Sequence, residues 1–180
     1  MNSKSVKRCI MIFPHFDNMN IIDEIRDKYD PLSKKVRPHI TLVFPFESSI
    51  SKEELEEYLS KVLKETRSFK LTLEGIIKVD NSTGLYLFLK IQEGIKEIKA
   101  IHNRLYEGML SQYKPNWLNQ VEFMPHMTIG CFTDRDELWN AYNAIATIKE
   151  RFSTLIEKVS VEIIDENEDS NIEIEMNLRK

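Results

Sequence analysis

The chain has 180 residues, 42% of them apolar and 30% charged, with a net charge of −4. That profile suits one soluble domain or two small lobes with a real core. No apolar run is long enough to span a bilayer, and the mild acidity argues against an extended nucleic-acid surface, which needs a basic face.

In chain order, Arg8 to Phe13 is expected as a short strand closed by Pro14. Asp17 or Asn18 is placed to cap a helix carrying Ile21, Ile22, Ile25 and Tyr29, with Pro31 ending it. His39 to Phe44 is the next strand, bounded by Pro38 and Pro45. Ser51-Lys52-Glu53-Glu54 is a capping box, and the helix behind it puts Leu55, Tyr58, Leu59, Val62 and Leu63 on one stripe. Phe69, Leu71 and Leu73 alternate as a strand. The turn Asp80 to Gly84 joins it to Leu85, Leu87, Leu89 and Ile91, which predicts a hairpin.

The second half repeats the order. A helix shows Ile95, Ile98, Ile101 and Leu105 on one face, and a loop with Pro115 and Trp117 follows. Met127 to Phe132 is a strand, and Thr133 or Asp134 caps a helix with Leu138, Tyr142 and Ile145. Val159, Val161 and Ile163 form a strand, and the acidic turn Asp165 to Asp169 leads to a last strand with Ile172, Ile174 and Met176. Each half runs strand, helix, strand, helix, strand, as a divergent duplication would. The expectation is one bilobal α+β domain over 1–180. Its halves, about 1–80 and 81–180, are two pseudo-twofold-related lobes of mainly antiparallel sheet, with helices on the outer face and a central cleft.

In each half the third element opens with the same tetrapeptide pattern: Pro38-His39-Ile40-Thr41 and Pro125-His126-Met127-Thr128. On a strand, residues two apart share a face. His39 and Thr41 therefore project together, as do His126 and Thr128, while Ile40, Leu42, Met127 and Ile129 point into the core. Two such faces meeting across a groove would gather two imidazoles and two hydroxyls. Imidazole titrates near neutrality, so one histidine can serve as base and the other as acid. Threonine hydroxyls can donate to a phosphoryl oxygen as charge builds on it. That chemistry suits in-line displacement at phosphorus and calls for no metal or other cofactor.

A single Pro-His-x-Thr is weak, since a lone strand histidine is more often a structural hydrogen-bonder; two at equivalent points of a repeat are a much stronger signal. Two histidines make a poor metal site, which generally takes three or four protein ligands. His15 and His102 are expected to be structural, with His15 close to the groove as an alternative. Lys34, Lys35 and Arg37 form a local basic run that is either a solvated loop or a small site for one or two phosphates. Phe44, Phe46, Tyr113, Trp117 and Phe123 are aromatic residues that could stack on a base. Cys9 and Cys131 form no CxxC pair and are expected to be reduced. With the polar start Met1-Asn2-Ser3-Lys4-Ser5, this points to a cytoplasmic chain.

The stretches His39-Ile40-Thr41-Leu42 and His126-Met127-Thr128-Ile129, with the continuation Leu42-Val43-Phe44-Pro45-Phe46, resemble the paired motifs of the two-histidine (2H) phosphoesterase superfamily. That superfamily includes LigT-type 2′-5′ RNA ligases, RNA cyclic phosphodiesterases and YjcG-like proteins. The resemblance covers most of the chain. It implies a bilobal fold with a central cleft and hydrolysis of 2′,3′-cyclic or similar phosphodiesters at an RNA or nucleotide end. His39 and His126 would be base and acid, in an order the resemblance leaves open, and Thr41 and Thr128 would bind phosphate. A nucleotide or RNA end with a cyclic phosphate is the expected partner, and a monomer the expected state. The alternative from another class is a binding module of the same fold that holds a nucleotide or RNA end without turnover. A third is a hydrolase of a non-phosphate ester, disfavoured because no GxSxG-like nucleophile motif is present.

Overall fold

The computed structural model describes residues 5–180; Met1 to Lys4 of the polar start lie outside them. Among the described residues the order is β1 (Val6–Ile12), α1 (Met19–Tyr29), β2 (Ile40–Ser48), α2 (Lys52–Leu63), β3 (Phe69–Asn81), β4 (Gly84–Glu93), α3 (Ile95–Leu105), β5 (Met127–Phe132), α4 (Arg135–Ile145), β6 (Arg151–Ile156), β7 (Lys158–Ile164) and β8 (Ser170–Asn177). Two short 3-10 segments, Ser111–Tyr113 and Asn116–Asn119, lie between α3 and β5.

The helix starts follow local chemistry. At α2, Ser51 Oγ accepts from the Glu54 N–H at 3.2 Å and the Glu54 carboxylate accepts from the Ser51 N–H at 2.9 Å, the reciprocal box expected there. At α4, Asp134 Oδ1 accepts from Asp136 and Glu137. Helix α1 differs: Asn18 precedes it without a capping bond, and its amide donates instead to the Arg151 carbonyl. Helix α3 starts after Gly94, whose φ of +98° would strain any other residue, and a Cβ there would crowd the Lys70 carbonyl oxygen at 3.0 Å.

Two strands outrun their expected ends. β2 continues through Pro45 to Ser48. It is an edge strand, and its register against β1 slips between Arg8 and Ile10, so Pro45 sits exposed where no ladder N–H is required. β3 continues past Leu73 because Gly75, at φ +84°, absorbs a register shift against β4 between Leu73 and Ile76. β6 is a strand that the sequence expectation lacked. It pairs with β3 from Phe69↔Ile156 to Glu74↔Arg151.

All pairings between these strands are antiparallel and make two four-stranded sheets, β2-β1-β7-β8 and β5-β4-β3-β6. α2 packs against β8 and α3 against β2 on the first sheet; α1 packs against β5 and α4 against β3, β4 and β5 on the second. The fold is therefore bilobal α+β. Each lobe draws on both halves of the chain: β7 and β8 return to the first sheet, and β3 and α1 cross to the second. The core between helices and sheets holds Ile10, Ile12, Ile40, Leu42, Leu87, Leu89, Met127 and Ile129, all at most 2% exposed. The two sheets approach each other through their edge strands β2 and β5, the strands that follow the two histidines.

Candidate active site

Register decides which face each motif occupies. Thr41 pairs with Met11. Met11 belongs not to the main core but to a small cluster with Cys9, Val36, Phe13 and Ile164 on the face of the first sheet away from the main core. Thr128 pairs with Phe88, which likewise stands apart from the main core. Both threonines are half-buried, between the fully buried Ile40 and Leu42 in one strand and Met127 and Ile129 in the other. The polar faces of the two motifs thus lie opposite the core, on adjoining edges.

The approach to each strand is the same. His39 Nδ1 lies 2.8 Å from the Arg37 carbonyl, and His126 Nδ1 lies 2.8 Å from the Met124 carbonyl. In each case a buried proline, Pro38 or Pro125, stands between the two partners and restricts the chain so that the carbonyl two residues back meets the ring. A carbonyl accepts only, so Nδ1 carries the proton and donates. In the neutral ring Nε2 is then the free lone pair, and it is the nitrogen left for chemistry.

The rings differ in surroundings. His39 tilts against Phe13, centroids 6.1 Å apart. Its pKa is pushed down to about 4. Burial is the largest cause; the charges of Arg26 and His126 lower it further, and the Arg37 carbonyl and Asp30 oppose them. The two imidazoles stand just before β2 and β5, the edge strands through which the sheets approach each other. His126 lies flat on Phe88, centroids 3.8 Å apart at 20°, and Phe88 stacks in turn on Tyr86 at 5.5 Å. Its pKa is lowered by burial, with the Met124 carbonyl opposing.

The segment leading to His39 is anchored from below. Arg26, 2% exposed, donates to Asp30 at 2.8 Å and to the carbonyls of Val36 and Leu32. Of the basic run, Lys34 pairs with Asp27 at 2.7 Å and Lys35 with Asp169 at 3.2 Å. Arg37 instead lies with its guanidinium 4.5 Å over the Phe13 ring. The suggested cationic site thus narrows to one residue beside His39.

Other candidates fall elsewhere. His102 is 2% exposed, bonds the Leu42 carbonyl at 2.7 Å and stacks on Phe123 at 3.6 Å, a structural role. His15 is exposed. Phe44 packs on Trp117 and Phe123 and Phe46 on Tyr113, so these aromatics are largely occupied with one another. The aromatics that touch His39 and His126 are Phe13 and Phe88, which the sequence reading had not singled out. Phe88 was within reach of it: Tyr86 and Phe88 are the alternate register to Leu85, Leu87 and Leu89. Both cysteines are free, Cys9 buried and Cys131 half-buried. Among the described residues no three His, Cys, Asp or Glu side chains gather as metal ligands do, and no helix is long and apolar enough to cross a membrane. A surface hollow of about 720 Å³ between α1 and α4 is lined by neither histidine.

Comparison with known proteins agrees with this architecture. The family model described as 2′-5′ RNA ligase superfamily matches residues 13–168. A protein of Oceanobacillus iheyensis whose name proposes a phosphoesterase is 30% identical over 134 residues, covering 73% of this chain and 74% of its own. Among solved structures, E. coli LigT in apo form superposes with a TM-score of 0.67 at 14% identity, covering 99% of this chain and 100% of its own. TT0787 of Thermus thermophilus superposes with a TM-score of 0.62 at 17% identity, covering 96% and 98%.

Proposed function

The chain belongs to the 2′-5′ RNA ligase superfamily, and on that footing we propose that it is a metal-independent phosphoesterase that opens cyclic phosphodiesters, at 2′,3′-cyclic RNA ends or in cyclic nucleotides. His39 is the general base, His126 the general acid, and Thr41 and Thr128 hold the phosphoryl oxygens. The observation that carries this reading is the matched pair of Nδ1–carbonyl bonds, which leaves an Nε2 available on each ring.

The assignment of roles rests on the asymmetry of the two rings. The more strongly depressed His39 is neutral at physiological pH and can take a proton from water. His126 lies on the face of Phe88, whose negative quadrupole favours the imidazolium, and a bound phosphodiester anion raises its pKa further. In the forward step the water oxygen forms a bond to phosphorus while His39 takes its proton. The bond from phosphorus to one ribose oxygen breaks, and His126 protonates that oxygen. One water is consumed, the product is a phosphomonoester, and the spent base and acid re-equilibrate with solvent. The hydroxyls of Thr41 and Thr128 donate to the non-bridging oxygens. The likeness to the E. coli LigT complexed with 3′-AMP, at a TM-score of 0.67, fits a nucleotide-sized occupant.

The test is a panel of nucleoside 2′,3′-cyclic phosphates, cyclic-ended RNA and ADP-ribose cyclic phosphate, assayed with a strong chelator present. Turnover of at least one of them, undiminished by chelation, is expected. Nucleotide binding without turnover would establish the binding module instead, and turnover abolished by chelator and restored by zinc or manganese would move the site to metal-assisted hydrolysis.

A further inference from the structure

Arg37 stands beside His39 in contact with Phe13. Its side chain is exposed, yet its guanidinium lies over the Phe13 ring, 4.5 Å from the centroid, and the same Phe13 ring contacts His39. Its own carbonyl orients His39 at 2.8 Å. The cation is therefore tied to the imidazole twice, through the backbone and through a shared aromatic neighbour. Its two basic companions are already neutralised, Lys34 by Asp27 and Lys35 by Asp169. Among the described residues no carboxylate lies within ion-pair distance of Arg37.

The carboxyl whose titration responds to Arg37 is that of Glu162 on β7. Glu162 is 1% exposed and takes a hydrogen bond from the Ser170 hydroxyl. It pairs across the sheet with Cys9, a thiol whose pKa is raised by burial. Burial pushes the Glu162 carboxyl up to about 7, with Arg37 pulling the other way. Arg37 also lines a hollow of about 290 Å³ together with Asp23, Lys34, Lys35, Ser170 and Ile172, which gives room for a substrate to continue past it.

We propose that Arg37 is a specificity residue that binds a second phosphate of the substrate, the one next along the chain from the phosphate under attack, so that the preferred substrate is a cyclic-ended nucleotide carrying a 5′-phosphate or a further 5′ nucleotide. This rests on the phosphoesterase reading above and narrows it. A planar guanidinium presents paired donors that match two phosphate oxygens. The contact with Phe13 holds it in place at low entropic cost. One anionic group can then sit at the histidines and a second at Arg37.

The experiment uses the full chain and compares a nucleoside 2′,3′-cyclic phosphate with the same compound bearing a 5′-phosphate. The expected preference for the 5′-phosphorylated substrate is about 10–100-fold in kcat/KM, the usual worth of a charge-assisted contact. Arg37→Gln, which keeps a planar group over Phe13 and removes the charge, should bring the ratio near one, and Arg37→Lys should keep part of it. A wild-type ratio near one, or an Arg37→Gln variant that slows both substrates equally and leaves the ratio intact, overturns the proposal. Calorimetric binding of a nucleoside 3′,5′-bisphosphate against the 3′-monophosphate supplies a second readout that needs no turnover. If neither cyclic substrate is opened but the bisphosphate binds more tightly through Arg37, the phosphoesterase reading fails while the second-phosphate site stands. If a cyclic substrate is opened without preference and the two products bind alike, only the second-phosphate site fails.

Discussion

His126 and Phe88 lie face to face, ring centroids 3.8 Å apart at an interplanar angle of 20°. The contact is built by register, because Phe88 is the β4 partner of Thr128 and the histidine immediately precedes the strand that this pair helps to hold. An aromatic face is negative, so the stack favours the protonated ring that a general acid must be.

Replacing the ring while keeping its bulk isolates that effect. Phe88→Leu should lower the His126 pKa by about half a pH unit, the equivalent of a modest cation–π contact. The alkaline limb of the rate profile should move down with it. Titration of the His126 ring by NMR checks this; an unchanged or raised pKa would show that the stack does not support the imidazolium.

The two depressed histidines set the pH window. In the proposed mechanism activity needs His39 neutral, so it is lost as pH falls through that group's pKa, about 4. It needs His126 protonated, so it is lost as pH rises through a pKa that lies below the ordinary 6.5. For free enzyme and substrate, kcat/KM should therefore form a bell on the acid side of 6.5. The kcat profile should extend to higher pH, because the bound phosphate anion raises the acid. A kcat/KM maximum at pH 8 or above would contradict the assignment.

Arg26 and Asp30 form a buried pair, 2% and 7% exposed, beneath the segment that carries His39. Arg26→Met strands the Asp30 carboxylate and releases the Val36 carbonyl, and should cost about 3–5 kcal/mol. Replacing both partners by apolar residues should cost much less. Urea midpoints measure both. A loss under about 1 kcal/mol for the single variant would mean the pair is not the anchor described here.

In the proposed mechanism the threonines hold oxygens and move no protons. Thr41→Val and Thr128→Val keep the branched shape and remove the donor, so each should lower kcat by about 10-fold to 10²-fold, the range for one hydrogen bond to a charged group. Each should leave the pH limbs in place. A displaced limb in either variant would give that hydroxyl a part in proton transfer.

Much of this was legible in the sequence because it is local. The box at Ser51 and Glu54, the apolar stripes of α2 and α3, and the i, i+2 alternation around both histidines need only near neighbours. Return pairings were not legible: nothing near Cys9 announces Glu162 across the sheet, nor does α1 announce its passage to β5. β6 escaped because it is short and lies at a sheet edge, and its exposed Leu155 blurs the alternation of Phe152 and Ile156. The basic run at Lys34 read as a cluster, since ion pairs to Asp27 and Asp169 arise only on folding. The contact of Phe88 with His126 depends on the β4–β5 register, and alternation alone marks a face without saying what meets it.

The central claim is that His39 and His126 are base and acid to one phosphoryl centre, and turnover of a nucleoside 2′,3′-cyclic phosphate by the two single alanine variants tests it most directly. Each of His39→Ala and His126→Ala, folded as judged by circular dichroism, should fall by about 10²–10⁴-fold. His39→Ala should lose the acid limb of the pH profile and His126→Ala the alkaline limb, and the double variant should lose less than the product of the two, since the pair acts as a unit. Wild-type turnover in either single variant would contradict the account.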